Sequence, residues 1–362
     1  MRVERRKPSE SPLFQQLLGL GLALLLVIVV TSVLIALSGK SPLAAFQAMI
    51  KGAFGTKNST AETMIKTVPL LLAALGLTIC YRTGLTSLGS EGQIVIGGLM
   101  ATIVGIYMGG LPKPILVPLA MIAGMIGGGL WASIAGFLKA KLGVSEIINT
   151  IMLNYVATYF VSYLISSGPL QEESGFYPQS DLLSQNAWLS SILPGTRMHT
   201  GVIVAAVSVV AVYLLLWKLP LGYQMRAVGN NPIAARTNGI KVARNMVLAM
   251  VLSGVFAGLA GAIELMGIHH RLMNGFSSSY GFDAMAVALL GGLHPAGVTV
   301  AALFFGALRT GANTMQRTLQ VPVSLVNVIQ GLVILFVLMQ AVLRSFTIKL
   351  FTSKKGAAAK EA

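Results

Sequence analysis

Long apolar runs, separated by short polar stretches, extend from the beginning of the chain to near its end. Residues 17–37 carry no charge and reach about 31 Å at ~1.5 Å per residue, which is enough to cross a bilayer. Two other apolar runs, 67–81 and 280–292, are short and contain glycine. The pattern predicts an all-α, polytopic transmembrane helical bundle of about ten spans, near 17–37, 67–81, 91–110, 115–137, 147–167, 200–217, 246–267, 280–292, 296–312 and 323–343.

The first apolar run has two interpretations. Basic residues precede it, as in a signal peptide, and Ala36-Leu37-Ser38 loosely resembles a cleavage site. The run is nevertheless longer than the roughly 7–15 apolar residues of a signal peptide. We therefore expect an uncleaved first span, preceded by a basic cytoplasmic N-terminus over 1–16.

The distribution of Lys and Arg orients the predicted spans. Cytoplasmic loops carry an excess of these residues, and most of the 26 basic residues lie inside if the N-terminus does. Loop 168–199, which is mainly acidic, is then outside, and the basic segment 218–245 is inside. The prediction is a permease domain over 17–345, a cytoplasmic tail over 346–362 and both termini in the cytoplasm. It leaves four basic residues on the outer side without an explanation, namely Lys40, Lys51, Lys57 and Lys66.

Composition supports a membrane protein. Hydrophobic residues make up 55% of the chain and charged residues 10%, whereas a soluble domain carries about 25% charged residues. The 40 glycines suit close helix packing in a bilayer. We attribute the net charge of +15 to loops at the membrane surface and expect no nucleic-acid partner. The single cysteine, Cys80, excludes an intramolecular disulfide.

A polar, basic and acid-free island at 222–241 separates two apolar runs. Asn231 suits an N-cap, Pro232 the first helical position and Gly239 the left-handed residue that ends a helix. A short capped helix at the cytoplasmic surface, without catalytic residues, is typical of a docking element for a soluble motor protein. The candidate coupling residues are Arg226, Gly229, Asn230, Asn231, Pro232, Ala234, Ala235, Arg236 and Gly239.

Four acids lie in or beside the apolar runs: Glu91, Glu146, Glu264 and Asp283. An acid at the bilayer centre costs roughly 2.5–3.5 kcal/mol and therefore needs a partner or a wet cavity. Glu91 either lines a pathway or satisfies a helix N-terminus, and the two roles are compatible. Glu146 and Asp283 suit helix starts, with Asp283 near the outer surface, whereas Glu264 suits either a pathway or a contact between helices.

Polar side chains also occur inside the predicted span 147–167. Asn149, Asn154 and Tyr155 can contact a sugar or a base, or can bind neighbouring helices at about 0.6–2 kcal/mol per hydrogen bond. Together with Glu91, Gln93 and Glu264 they are the candidate substrate-pathway residues.

Catalytic and metal-binding interpretations find little support. The histidines are scattered, and no metal-ligand spacing or nucleophilic triad is present. Gly39-Lys40-Ser41 resembles the end of a phosphate-binding loop, but Leu34 stands where that motif requires glycine. We therefore expect no catalytic residue, metal or cofactor on this chain, and any ATP to bind a separate subunit.

Three motifs, in order, resemble those of a known family. They are Leu88-Gly-Ser-Glu-Gly-Gln-Ile-Val-Ile-Gly97, Ile147-Ile-Asn-Thr-Ile-Met-Leu-Asn-Tyr155 and Val228-Gly-Asn-Asn-Pro-Ile-Ala-Ala-Arg-Thr-Asn-Gly-Ile240. The chain resembles the permeases of ribose and simple-sugar ABC importers over about 60–350. It is most similar to the branch that takes up nucleosides with basic-membrane-lipoprotein receptors.

The resemblance implies a bacterial inner-membrane permease with three kinds of protein partner. These are a second permease, an ATPase subunit with two nucleotide-binding domains and an extracytoplasmic substrate-binding lipoprotein. It also implies that 228–240 docks on the ATPase, and we expect the receptor to contact 168–199 and 268–283. The alternative is a secondary transporter driven by H⁺ or Na⁺, with Glu91 and Glu264 as ion sites.

Overall fold

The computed structural model describes residues 3–5, 25–26, 28–173, 175–321, 328, 331–332, 335 and 346–348. The chain forms two compact units, one of 1–45 with 319–362 and one of 46–318. In the first unit, β1 (Val3–Arg5) pairs antiparallel with β2 (Phe346–Ile348), and α1 covers Ile28–Leu37. The N-terminus 1–16, the first part of the span 17–37, the span 323–343 and the tail 346–362 lie largely outside the described residues.

The second unit is helical. Its elements are α2 (Pro42–Phe54), which begins in the first unit, α3 (Lys57–Arg82), α4 (Ser90–Tyr107), α5 (Lys113–Leu142), α6 (Glu146–Ser166), a 3₁₀ turn (Gln185–Ala187), α7 (Gly201–Trp217), α8 (Pro220–Asn230), α9 (Pro232–Thr237), α10 (Val242–Glu264), which continues as a π-helical turn (Leu265–His269), α11 (Tyr280–Leu290) and α12 (Pro295–Leu319).

Local capping chemistry sets several helix limits. The Thr56 side chain accepts a hydrogen bond from the Ser59 N–H and begins α3. Prolines occupy the first turns of α5, α8 and α9, where their missing N–H costs nothing. Gly143, at φ 69°, ends α5 in the left-handed conformation.

Six described helices are long and apolar enough to cross a membrane, or eight if two bent pairs each count as one span. The helical bundle is thus confirmed, whereas the number ten and the cytoplasmic termini remain predictions. The run 67–81 was predicted too short, because α3 begins at Lys57. Its polar first turns belong to a capped helix, which a search for apolar runs does not detect.

Helices α3, α4 and α10 form the centre of the unit, and glycines let α5 and α10 cross closely. A Cβ on Gly254 would overlap the Gly128 carbonyl oxygen, and one on Gly258 would overlap that of Gly124. Gly97 of α4 meets Gly258 at the same crossing. The small residues therefore act as predicted, by bringing backbones into contact.

Helix α11 is only half a span long. Its 11 residues cover about 16 Å, against about 30 Å for the hydrocarbon layer. Its first turn lies against the first turn of α4, since a Cβ on Gly281 would overlap the Glu91 backbone nitrogen. Two helix N-termini therefore meet within the bundle.

Candidate functional site

A buried carboxylate occupies the point where α4 and α11 begin. Glu91 is 8% exposed, and its carboxylate accepts hydrogen bonds from the Ser277 hydroxyl and, at 2.8 Å, from the Gly281 N–H. First-turn N–H groups lack helical partners and carry partial positive charge, which favours an anion there. We call Glu91, Ser277 and Gly281 the central cradle.

An arginine of α12 fastens the segment that completes the cradle. The Arg309 guanidinium donates to the Asp283 carboxylate at 2.7 and 3.0 Å and to the Ser278 carbonyl at 2.9 Å. It also lies 4.5 Å from the centre of the Tyr280 ring. Asp283 is in the first turn of α11, as expected for a helix-start residue.

The start of α4 is also tied to α6. Asn154 accepts from the Gly92 N–H at 2.9 Å and donates to the Leu88 carbonyl at 2.8 Å, while the Thr150 hydroxyl accepts from the Leu88 N–H at 3.1 Å. The Asn154 amide thus fixes the backbone where the segment after α3 ends and α4 begins. The Gln93 side chain, 2% exposed, has no hydrogen bond to its Oε1 from the described residues.

A cavity of about 170 Å³ adjoins the cradle. Glu91 and Val95 of α4, Thr158 and Val161 of α6 and the segment 273–279 line it. Its lining combines a carboxylate, hydroxyls and an amide with apolar side chains, a mixture found in ligand sites, while its volume is below the roughly 300–1,000 Å³ of most such sites.

The other predicted pathway residues form no hydrogen bond with the cradle among the described residues. Tyr155 is 58% exposed, whereas Asn149 is partly buried and its Nδ2 has no hydrogen-bond partner among the described residues; both are on α6. Glu264 is buried at the end of α10, where its Oε1 lies 3.5 Å from His269 Nε2. Glu146 begins α6 and pairs with Lys139 at 2.7 Å, in agreement with its expected position at a helix start.

The structure forms the short helix predicted in the basic island. The Asn231 side chain accepts from the Ile233 and Ala234 N–H groups at 3.0 and 3.1 Å, Pro232 is the first residue of α9, and Gly239 follows at φ 79°. We call α8 and α9, with Gly239, the coupling surface.

The candidate coupling residues do not all face outward. Ala235 is 4% exposed and packs with Val228 and Val242 inside this chain. The exposed candidates are Asn230, Asn231, Pro232, Ala234, Arg236 and Gly239. Arg226 lies over the Trp217 ring at 5.8 Å, and a Cβ on Gly229 would overlap the Arg82 carbonyl oxygen, so both contact other helices.

A cup of about 570 Å³ lies between α8 and α9. Its lining is uncharged and includes the amides of Gln224, Asn230, Asn231 and Asn238, with Tyr223 at its side. Ile233, beside the cup, is 76% exposed. The surface therefore offers polar amides together with one prominent apolar side chain.

The loop 168–199 packs on the residues after α10. The N–H groups of Ser180 and Leu183 donate to the carbonyls of Leu272 and His270, both at 2.8 Å, and Trp188 stacks on His270 at 4.0 Å between ring centres. Burial, and then nearby His270 and Arg197, lowers the pKa of His199 to about 4. The two segments expected to contact a receptor thus form one surface.

Three residues of these sites, Arg309, Ser277 and Ile233, were not among the residues predicted from the sequence. Arg309 was detectable, because a basic residue inside the apolar run 296–312 needs a partner as much as an acid does. Ile233 was an apolar residue in a polar island. Ser277 had no signal, since its role depends on contact with a residue 186 positions away.

Comparison with known proteins assigns the chain to a family. The family described as branched-chain amino acid transport system / permease component matches residues 59–338. No solved structure matches the chain significantly.

Curated relatives match most of this chain and most of their own length. A guanosine ABC transporter permease of Bacillus subtilis is 37% identical over 98% of this chain and 99% of its own. A nucleoside ABC transporter permease of Lactococcus lactis is 34% identical over 83% and 84%, and a glucose ABC transporter permease of Haloferax volcanii 34% over 87% and 85%. The predicted resemblance to ABC importer permeases is confirmed, and the ion-coupled alternative is not favoured. The chain belongs to the branched-chain amino acid transport system permease family, as a multi-pass transport subunit.

Proposed function

We propose that this chain is a permease subunit of a bacterial inner-membrane ABC importer that takes up nucleosides. The observation that carries the proposal is the 37% identity with a guanosine permease over nearly the whole of both chains. The similar glucose permease keeps a sugar as the second candidate substrate. A nucleoside contains a sugar, so a cavity with hydroxyls, an amide and a carboxylate suits either class.

The proposed transporter contains three further components. An ATPase subunit with two nucleotide-binding domains binds ATP and docks on the coupling surface. A second permease completes the pathway, and an extracytoplasmic lipoprotein delivers the substrate to 168–199 and 268–283. The candidate pathway residues are Glu91, Gln93, Asn149, Asn154, Tyr155 and Glu264, and this chain itself holds no cofactor.

Uptake of labelled nucleosides and pentoses tests the substrate class. Cells that express this chain with its neighbouring ATPase and permease genes should accumulate nucleoside, and cells that express this chain alone should not. Because ATP drives the step, uptake should survive collapse of the proton gradient. Uptake by the single chain that stops when the proton gradient is collapsed would contradict the proposal. Uptake of pentoses without uptake of nucleosides would show that the substrate is a sugar and not a nucleoside.

The exposed Ile233 gives a specific test of ATPase docking. Replacing it with Glu places a charge in the proposed contact, and an unpaired buried charge costs several kcal/mol. We expect ATPase binding to weaken by about 100-fold or more, with uptake lost and membrane insertion retained. Copurification of the ATPase, quantified against insertion, measures this.

The matched control is Leu142→Glu, at a 67% exposed position at the end of α5. It should keep ATPase binding. Ile233→Glu is preferable to a charged residue at Ala235, because Ala235 packs inside this chain and its replacement disturbs the fold as well. Normal ATPase binding by Ile233→Glu would remove the coupling assignment.

A further inference from the structure

Helix α11 is held at both ends by arginines that belong to other helices. At its N-terminal end, Arg309 of α12 donates to the Ser278 carbonyl at 2.9 Å. At its C-terminal end, Arg82 of α3 donates to the Leu293 and Gly292 carbonyls at 2.9 and 3.1 Å. Cations at a helix C-terminus are favourable because the last carbonyls there lack helical partners.

Both ends of α11 also have unusual backbone conformations. Ser278 and Ser279, before the helix, have φ values of 45° and 61°, and Gly292 and Leu293, after it, have 64° and 55°. Left-handed conformations of residues other than glycine are costly and persist only where surrounding contacts hold them. The two arginines supply such contacts, so they fix the position of α11 at two points where the backbone can turn.

The C-terminal contact is continuous with the coupling surface. Arg82 and Arg226 of α8 lie over the same Trp217 ring, at 5.5 and 5.8 Å. His294, in the turn after α11, meets that ring edge-on at 4.8 Å. Since Gly229 of α8 also packs against the Arg82 backbone, a displacement of α8 acts directly on the residue that holds the end of α11.

The N-terminal end of α11 forms the central cradle, because Gly281 donates to Glu91. One continuous helix of about 16 Å therefore joins the coupling surface to the cavity beside Glu91. Both ends are defined by named hydrogen bonds, and the helix between them packs along α3.

We propose that α11 transmits movement of the coupling surface to the central cradle, and that Arg82 is the positioning residue that connects them. The proposal rests on the proposed docking of the ATPase at α8 and α9. When the ATPase moves these helices, Arg82 moves the turn at Gly292 and Leu293, and α11 changes the contacts of Ser277 and Gly281 with Glu91. The cavity beside Glu91 then differs between the two states of the ATPase.

A thiol reporter at Ser278 tests the connection. Ser278 is exposed and lines the cavity. Cysteine differs from serine only in that a sulfur atom replaces the side-chain Oγ. The reporter chain carries Ser278→Cys with Cys80→Ala, and is assembled with the ATPase, second permease and receptor in lipid nanodiscs. The rate of labelling by a polar maleimide is measured without nucleotide and with ATP plus vanadate, together with uptake in liposomes and ATP hydrolysis.

We expect ATP to change the labelling rate at Ser278, and Arg82→Gln to reduce that change by about fivefold or more, the lower end of a typical coupling between sites. Uptake should fall in proportion to this reduction of the labelling change, while the amount of ATPase that copurifies stays unchanged. Arg82→Lys keeps the charge but loses the planar donor pair and should give an intermediate change. Lys141→Gln, at an exposed position near the end of α5, removes the same charge and should behave as the unmodified reporter chain.

Two results would overturn the inference. One is a labelling rate that ATP does not alter in the unmodified reporter chain, and the other is a full ATP-dependent change in Arg82→Gln. If the Arg82→Gln chain does not assemble into the transporter, Arg82→Lys and Trp217→Leu are measured in its place. A full ATP-dependent change of the labelling rate in both of these variants would also contradict the role of Arg82. Failure of the ATPase to bind the unmodified chain would instead contradict the proposed function.

Discussion

At the scale of single residues, the bundle contains few charged groups, and several of those that the structure describes in its interior fix the backbone. Glu91 satisfies an N–H of α11, and Arg309 pairs with Asp283 while it binds a backbone carbonyl. A buried polar group is costly unless it is bonded, so these pairs allow helices to begin and end inside the bundle. Glu91 therefore satisfies the N-terminus of α11 and not, as its position in the sequence suggested, that of its own helix α4, and it also lines the cavity.

Replacement of Glu91 should separate the contribution of its hydrogen bonds to stability from that of its charge. Glu91→Ala leaves the Gly281 N–H without its acceptor, at a cost of about 1–3 kcal/mol. Glu91→Gln keeps an oxygen acceptor and should lose less stability. Thermal unfolding of the detergent-solubilised protein measures both. Equal stability of Glu91→Ala and the unmodified chain would show that the cradle contributes nothing to the fold.

His199 predicts a dependence of stability on pH. Its folded pKa of about 4 lies below the ordinary 6.5, so the unfolded chain binds a proton more readily between these values. The contribution of His199 is thus complete above about pH 6.5 and is lost as pH falls towards 4. His199→Asn keeps an acceptor for the Gly201 N–H without titrating and should reduce the fall in melting temperature between pH 7 and 5. An unchanged fall would assign the pH dependence to other groups.

At the scale of helices, close backbone contact replaces apolar side-chain packing where α5 and α10 cross. Lipid tails are as apolar as leucine, so helices in a bilayer gain little from hydrophobic burial and more from close approach. Gly124 and Gly128 face Gly258 and Gly254, and α4 joins them through Gly97. The crossing thereby fixes three of the long helices against one another.

Gly258→Val should disrupt this crossing. Its side chain would overlap the Gly124 carbonyl, and forced overpacking costs about 1–3 kcal/mol or more. We expect a clear loss of folded protein on size-exclusion chromatography. The matched control is Gly110→Ala, because a Cβ there meets no atom within 4 Å and should change little. If both variants fold equally well, the close crossing is not required.

The sequence predicts whole helices better than it predicts the places where they break. The runs 91–110, 115–137 and 147–167 were close to α4, α5 and α6, and the capped helix at Pro232 was predicted from its own residues. The start of α3 was missed because polar residues such as Lys66 lie on a helix of the bundle. The cradle could not be predicted, because it joins Glu91 to residues 277–281 and the chain carries no local signal of that contact.

At the scale of the whole molecule, we predict that the proposed second permease packs on the exposed face of α6. Tyr155, Tyr159 and Tyr163 recur every four residues and are 58, 71 and 61% exposed. Tyrosine normally lies at the membrane–water interface, where its hydroxyl is hydrated, whereas Tyr155 lies in the middle of the predicted span. A stripe of this kind requires polar neighbours, which another subunit or a wet pathway supplies and lipid does not.

Cysteine cross-linking tests whether the tyrosine face of α6 contacts another subunit. With Cys80→Ala, Tyr159→Cys on α6, labelled with a maleimide–benzophenone reagent, should photo-cross-link to the proposed second permease. We expect this because the stripe lies beside the cavity that Thr158 and Val161 line. Ile126→Cys, at a 52% exposed apolar position on α5, should face lipid and not cross-link. Cross-linking of the assembled transporter, resolved by electrophoresis, measures both. If Tyr159→Cys gave no more product than Ile126→Cys, α6 would face lipid, and the substrate would have to pass through this chain instead of between two permeases.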